Sequence, residues 1–263
     1  MYRFLLRPKW LLLHVVILIS VVGMVLLARW QWNKHIARDD FVSMVEAREK
    51  ADPKELAPLL ASGIPASDIE WYRVTATGSY LANGELQQIN RTQNGVNGVN
   101  VLTPFQIDNG PVIIVNRGFV PTGITVTASP RGTLKIGGTA RTSQIRNTGE
   151  LTDDASATNS EVRRVDLVFI AQHIDTKIAP VYLDFIASQP ASASPPVPVP
   201  PPNLGSGPPH VSYTVQWLFF SLCAIAGWIF AVRRSMKTQR QAVAAEAARE
   251  ATATSDPRAV PSA

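Results

Sequence analysis

The sequence predicts a membrane α+β protein: two transmembrane helices flanking a mainly antiparallel β domain that could curl into a barrel outside the cytoplasm. Three observations predict it. Apolar runs without Asp, Glu, Lys or Arg lie near both ends, Trp10–Ala28 and Val215–Val232, the second led in by Val211. Between them the apolar period changes from helical to two, with Gly and Asn punctuating short runs. Basic residues gather beyond the outer ends of the two runs.

Each run holds 18 to 19 residues, and at 1.5 Å per residue that reaches across a hydrocarbon core of roughly 30 Å. The helical pattern continues past Ala28 through Trp30 and Phe41, which favours an uncleaved anchor over a leader cut at Ala28. The flank before the second run, Asn203–Tyr213, has no Lys or Arg, whereas Arg233, Arg234, Lys237 and Arg240 follow it. The positive-inside rule then puts the C-terminus in the cytoplasm. With two spans the N-terminus is there too, in keeping with Arg3, Arg7 and Lys9. The expected organisation is a cytoplasmic N-terminus over 1–9, a span over 10–29 and an extracytoplasmic helix plus β domain over 30–189. A Pro-rich linker over 190–209, a second span over 211–232 and a basic, then disordered, cytoplasmic tail over 233–263 complete it.

Topology also explains a net charge of +5 and a pI near 9.6. Arg29 to Thr214 holds 16 basic and 17 acidic residues, and the ends hold 9 basic and 3 acidic. The excess faces anionic lipid, so nucleic acid is excluded as a partner. The one cysteine, Cys223, lies in the second run, so the middle domain has no disulfide and no paired thiols for redox chemistry.

Along the chain, the first helix is expected to project outward until Asp52-Pro53 stops it, and Lys54–Ala61 reads as another short helix. Trp71–Tyr80 alternates as a half-buried strand, and Leu86–Arg91 is a weaker one. Asn94-Gly95 and Asn97-Gly98 are turn signals. Val99–Ile107 and Val112–Val120 flank Asp108-Asn109-Gly110 as a hairpin. Thr133–Thr142 is a further strand, Val162–Ile174 reads as a helix packing through Val165, Val168 and Phe169, and Val181–Ile186 is a final short strand. Pro190–Pro209 contains nine prolines and is expected to be a stiff spacer rather than part of a core.

The motifs of hydrolases, zinc peptidases and nucleotide-binding proteins (G-x-S-x-G, H-E-x-x-H, the P-loop, G-x-G-x-x-G) are absent from the sequence, so an enzyme is not expected. Histidine carries more information. His35 follows the first span and His210 precedes the second, which places both near the outer membrane surface. Imidazole is a usual axial ligand of haem iron, although interfacial histidines also simply bridge wet and apolar layers, the reading that spacing alone favours. His14 lies one turn inside the cytoplasmic edge, either as a functional group or as a satisfied polar contact. Cys223, Gly227 and Ala231 form a small-residue face that suits close helix packing. Trp10, Trp30, Trp32 and Trp217 mark the interfaces. Arg117 interrupts an apolar strand, and outward is its default direction.

Trp30-Gln31 beyond the first span, Leu102-Thr-Pro-Phe105, and Val112-Ile-Ile-Val-Asn116-Arg117-Gly118-Phe-Val-Pro121 together resemble the SURF1 family of respiratory oxidase assembly proteins. His210-x-x-Tyr213-x-x-x-Trp217 running into the second span is similar to that family as well. The resemblance implies a non-catalytic assembly factor for haem-copper cytochrome c oxidase, acting while haem a enters subunit I. It implies His210 as the residue to hold haem a transiently. Trp30, Gln31, Asn116, Arg117, Gly118, Tyr213 and Trp217 would be family-motif or partner-contact positions. Its partners would be cytochrome c oxidase subunit I or the respiratory supercomplex, with membrane lipid; a permanent accessory subunit or an extracytoplasmic ligand-binding protein is the alternative. Lys34, the Pro-rich segment and the long tail depart from the family pattern and suit a bacterial plasma membrane.

Overall fold

The two charge-free runs become the two longest helices of the computed structural model, which describes residues 3–153, 160–191, 196–202, 204–205 and 207–254. α1 spans Pro8–Lys50 and α5 spans His210–Thr254. Only 6% of the apolar window of each is buried, which excludes the core helix of a soluble fold, since such a helix is hydrophobic because it is enclosed. The chain divides into two compact units, Met1–Asp40 with Gly205–Ala263, and Phe41–Leu204. α5 continues well past the basic cluster, through the Ala-rich part of the tail to Thr254. Alanine and long straight side chains there have high helix propensity. Residues 255–263 lie outside the described residues.

The second unit is built on an eight-stranded sheet with the order β1-β2-β6-β8-β5-β4-β3-β7. The strands are β1 (Lys54–Glu55), β2 (Arg73–Tyr80), β3 (Leu86–Gln93), β4 (Val96–Ile107), β5 (Val112–Pro121), β6 (Leu134–Thr142), β7 (Glu161–Val162) and β8 (Ile178–Gln189). The helices α2 (Leu56–Ala61), α3 (Ala66–Ile69) and α4 (Leu167–His173) accompany it. The expected hairpins are present, β3–β4 and β4–β5 both pairing antiparallel. Asn94 and Gly95 both adopt positive φ, as a two-residue primed turn requires. Asn97-Gly98 is no turn; it lies inside β4. The sheet is mixed rather than simply antiparallel, because β8 returns parallel to β5, and β1–β2 and β3–β7 are also parallel.

Gly78–Tyr80 of β2 additionally pair with Phe105–Ile107 of β4, so β2, β6, β8, β5 and β4 form a circuit of pairings. Gly78 permits this: a Cβ there would collide with the Gln106 carbonyl. These five strands feed one apolar cluster, which includes Val74, Phe105, Ile113, Ile136 and Leu183. A second cluster, with Leu86, Leu102, Ile114, Leu167 and Ile170, lies on the other side of the strands, where α4 packs. β5 is therefore buried on both faces, which is why Val112–Val115 reads as an unbroken apolar run.

Three expectations are corrected. The helix expected over Val162–Ile174 is confined to Leu167–His173, because Val162 is drawn into pairing with β3 and Asp166 caps the helix at Val168 N and Phe169 N. Its buried residues are Leu167 and Ile170, and Val168 is 68% exposed. The Pro-rich segment docks on the sheet instead of standing free. Phe119 N donates to Val197 O at 2.6 Å, Val197 N to Phe119 O at 3.0 Å, and Gln93 Nε2 to Pro198 O at 3.2 Å. β8 stops pairing β5 at Asn116, which frees the edge beyond it, and Val197 is the residue between two prolines that still owns an N–H. Arg117, finally, turns inward.

Candidate functional site

Arg117 is the extra residue of a β-bulge. Val101 pairs Gly118 and Leu102 pairs Asn116, so β5 spends one more residue than β4 there, with Gly118 at φ 129°. The Arg117 side chain is 4% exposed and meets Glu85 Oε2 at 3.1 Å and the Ala128 carbonyl at 3.2 Å. Thr103 Oγ1 donates to the same Glu85 oxygen at 3.0 Å. Burial pushes the nearby Tyr80 hydroxyl up to about 12, Arg117 opposing the shift. The inward direction of Arg117 is thus satisfied by an ion pair and a carbonyl, the condition on which a buried guanidinium is tolerated.

On the other face, Asn116 starts a polar row across the sheet. Its Nδ2 donates to Asp184 Oδ1 at 2.8 Å, and Arg141 donates to Asp184 Oδ2 at 3.3 Å. Arg141 also meets Glu70 at 3.5 Å and lies 3.8 Å over the Trp71 ring. Asn100, Gln88, Gln144 and Tyr182 follow in a chain of side-chain hydrogen bonds of 3.1–3.2 Å. Burial raises the Asp184 carboxyl, with Arg141 and Asn116 pulling it back. None of these partners was singled out from sequence. The available signal was polar residues at apolar-strand positions, Asn100 between Val99 and Val101 and Asp184 between Leu183 and Phe185.

In the helical unit, α1 and α5 run antiparallel, as three contacts fix: His14 with Trp228, Ala28 with Thr214, and Gln31 with His210. The less exposed residues recur at three and four, Ala28 and Gln31 on α1, and Thr214, Trp217, Ser221, Ala224 and Trp228 on α5, all buried or half-buried. Of the small-residue stripe, Cys223 and Gly227 are exposed and Ala231 is half-buried, so the first two do not pair these helices.

The histidines separate by which nitrogen they commit. Trp228 Nε1 can only donate, and it reaches His14 Nδ1 at 2.9 Å; His14 is a satisfied contact, ring against ring at 5.6 Å and 83°. His35 turns its Nε2 to Asp39 at 3.4 Å. His173 stacks on Phe169. His210 places Nδ1 2.7 Å from Gln31 Oε1, an acceptor, which in the neutral ring puts the proton on Nδ1 and the lone pair on Nε2. No described residue hydrogen-bonds that Nε2. Two residues 179 positions apart, each in a separate motif, therefore form one unit. Trp30 and Trp32 are exposed, Lys34 lies 5.9 Å over Trp30, and Trp217 packs edge-on to Phe220 while Tyr213 is 43% exposed. Asn116, Arg117 and Gly118 belong to the sheet unit.

Fold and site together define a mixed-sheet domain carried between two long apolar terminal helices, with an oriented imidazole at the start of the second. The chain belongs to the SURF1 family, whose model matches residues 18–222, a stretch that includes Gln31, Asn116–Gly118 and His210. It is similar to uncharacterized SURF1-like proteins of Mycobacterium bovis and Mycobacterium tuberculosis, at 28% identity over 244 residues, 90% of this chain and 89% of each relative. A SURF1-like protein of Monosiga brevicollis is 28% identical over 245 residues, 86% of this chain and 87% of the relative.

Proposed function

We propose that this protein is a two-pass assembly factor of the bacterial plasma membrane, assisting haem a delivery to subunit I of a haem-copper cytochrome c oxidase. Membership of the SURF1 family supports the process, and the pair Gln31–His210 supports the part played in it. Metal-binding imidazoles characteristically donate their second N–H to an oxygen that fixes tautomer and ring angle. Gln31 does this for His210 at 2.7 Å, leaving Nε2 as the atom offered to iron. Haem a is cargo in this scheme: His210 holds the ring while the oxidase subunit is completed, and the sheet domain meets the partner outside the cytoplasm. Both helices are apolar over the length that a bilayer demands, and the basic residues after Val232 anchor α5 on the cytoplasmic side.

Deleting the gene should lower both haem a absorbance and assembled oxidase in membranes; normal oxidase in the deletion strain overturns the proposal. The role of His210 is tested on protein purified from cells making haem a. His210→Ala should lose the haem a spectrum, and Gln31→Ala should weaken haem retention by about 10- to 100-fold. An unchanged spectrum in His210→Ala returns that residue to the anchoring role of an interfacial histidine.

A further inference from the structure

Two β-bulges aim side chains at one cavity of the sheet domain. In β3, Gln88 pairs Asn100 and Arg91 pairs Gly98, so β3 uses three residues where β4 uses two, and Asn90 takes φ 60°. The added residue reverses the strand's alternation and brings Gln88 and Arg91 to one face. The bulge at Arg117 does the same for Asn116 and Phe119. All four line a cavity of about 340 Å³, which Val199 and Pro200 of the docked Pro-rich segment also border.

Hydrogen-bond accounting inside this cavity leaves two atoms over. Asp184 has both oxygens engaged by Asn116 and Arg141, and Gln88, Asn100, Gln144 and Tyr182 satisfy one another. Arg91 Nε and Asn116 Oδ1 are buried without a partner. No hydrogen bond joins the Arg91 guanidinium to any described residue, and burial lowers its affinity for the proton, with Tyr182 and Asp184 opposing. Arg91 is half-buried, and a donor such as its Nε, taken out of water without a partner, costs free energy that a ligand acceptor would recover. Tyr182 accepts from Gln144 Nε2, so its own proton is free to be donated, and burial keeps that proton on the phenolic oxygen.

We propose that this cavity binds a small oxyanion group, a carboxylate or a phosphate, through the Arg91 guanidinium and the Tyr182 hydroxyl, while Asn116 Oδ1 accepts from a donor on the same ligand. Guanidinium forks match the two oxygens of such groups and gain strength when desolvated. The Asp184 carboxylate in the same cavity is engaged by Arg141 and Asn116 rather than by the Arg91 donors. The volume suits a small molecule or a headgroup. This site uses no residue of the Gln31–His210 pair and stands or falls apart from haem a delivery.

The full-length protein in detergent is titrated with inorganic phosphate and with malonate, and compared with protein in nanodiscs with and without phosphatidylglycerol, by calorimetry and thermal unfolding. A saturable rise in Tm with either soluble anion supports a free ligand, and a rise only with phosphatidylglycerol supports a lipid phosphate. Arg91→Gln should start at a Tm close to or above the parent, since it removes a half-buried guanidinium whose Nε has no partner, yet bind at least tenfold more weakly. Arg131→Gln, an exposed loop arginine, should respond as the parent does. Should Arg91→Gln not fold, Tyr182→Phe keeps the ring and should weaken binding at least threefold. No response of the parent to any of these probes overturns the proposal, as does an equal response in Arg91→Gln or, where that variant does not fold, in Tyr182→Phe.

Discussion

At Asp184, burial raises the carboxyl above its ordinary value of 3.8, and the hydrogen bonds from Arg141 and Asn116 only partly offset this. A raised folded-state value means that, just above pH 4, the folded protein still holds a proton the unfolded chain has released. Stability contributed by this group is therefore complete below about pH 4 and lost as pH rises through the folded value. Asp184→Asn keeps the shape and removes the titration. The stability advantage of the parent over this variant should be greatest near pH 4 and shrink toward pH 7 in thermal unfolding. An advantage that grows with pH would mean that the Arg141 pair outweighs burial. Such residues were hard to read from sequence because their partners are remote: Asn116 and Asp184 are 68 positions apart, and strand alternation cannot announce where a bulge reverses it. Arg117 shows the same limit, since outward was the economical expectation until Glu85 and the Ala128 carbonyl came into reach.

At the scale of elements, strands with two-residue periodicity and the Asn94-Gly95 and Asp108-Asn109-Gly110 turns were legible, because local sterics decide them, whereas Asn97-Gly98 misled by lying inside β4. The long α1 was legible to its end at Lys50, just before Asp52-Pro53. What local signals could not supply was the parallel return of β8 beside β5, and the use of the Pro-rich segment as a sheet-edge partner. That docking depends on Gly118: at φ 129° any side chain is strained, and a Cβ there would run into the Val197 carbonyl. Gly118→Ala should detach the segment and cost about 1–3 kcal/mol. At roughly 2–4 °C per kcal/mol for a domain of this size, a clear drop in Tm follows, with faster protease cleavage near Val197. An unchanged Tm and cleavage pattern would show that the bridge contributes nothing.

For the whole molecule, the two charge-free apolar runs were legible as the two longest helices, and the basic residues around them support the proposed topology. Its consequence is testable with an alkaline phosphatase or fluorescent-protein fusion near Gly149, in the exposed stretch after β6. The phosphatase should be active and the cytosol-dependent reporter silent; the reverse pattern would invert the topology. The candidate ligand His210 was legible through its motif, but its orienting partner was not, since nothing in sequence states that Gln31 meets it. The two ties between α1 and α5 have a mechanical consequence. His14–Trp228 and Gln31–His210 are separated by 17 residues of α1, roughly 26 Å, and both are short-range and directional. Sliding one helix past the other by a single turn of about 5.4 Å would break both together. The helix pair thus resists piston motion and is unsuited to relaying a push along its length.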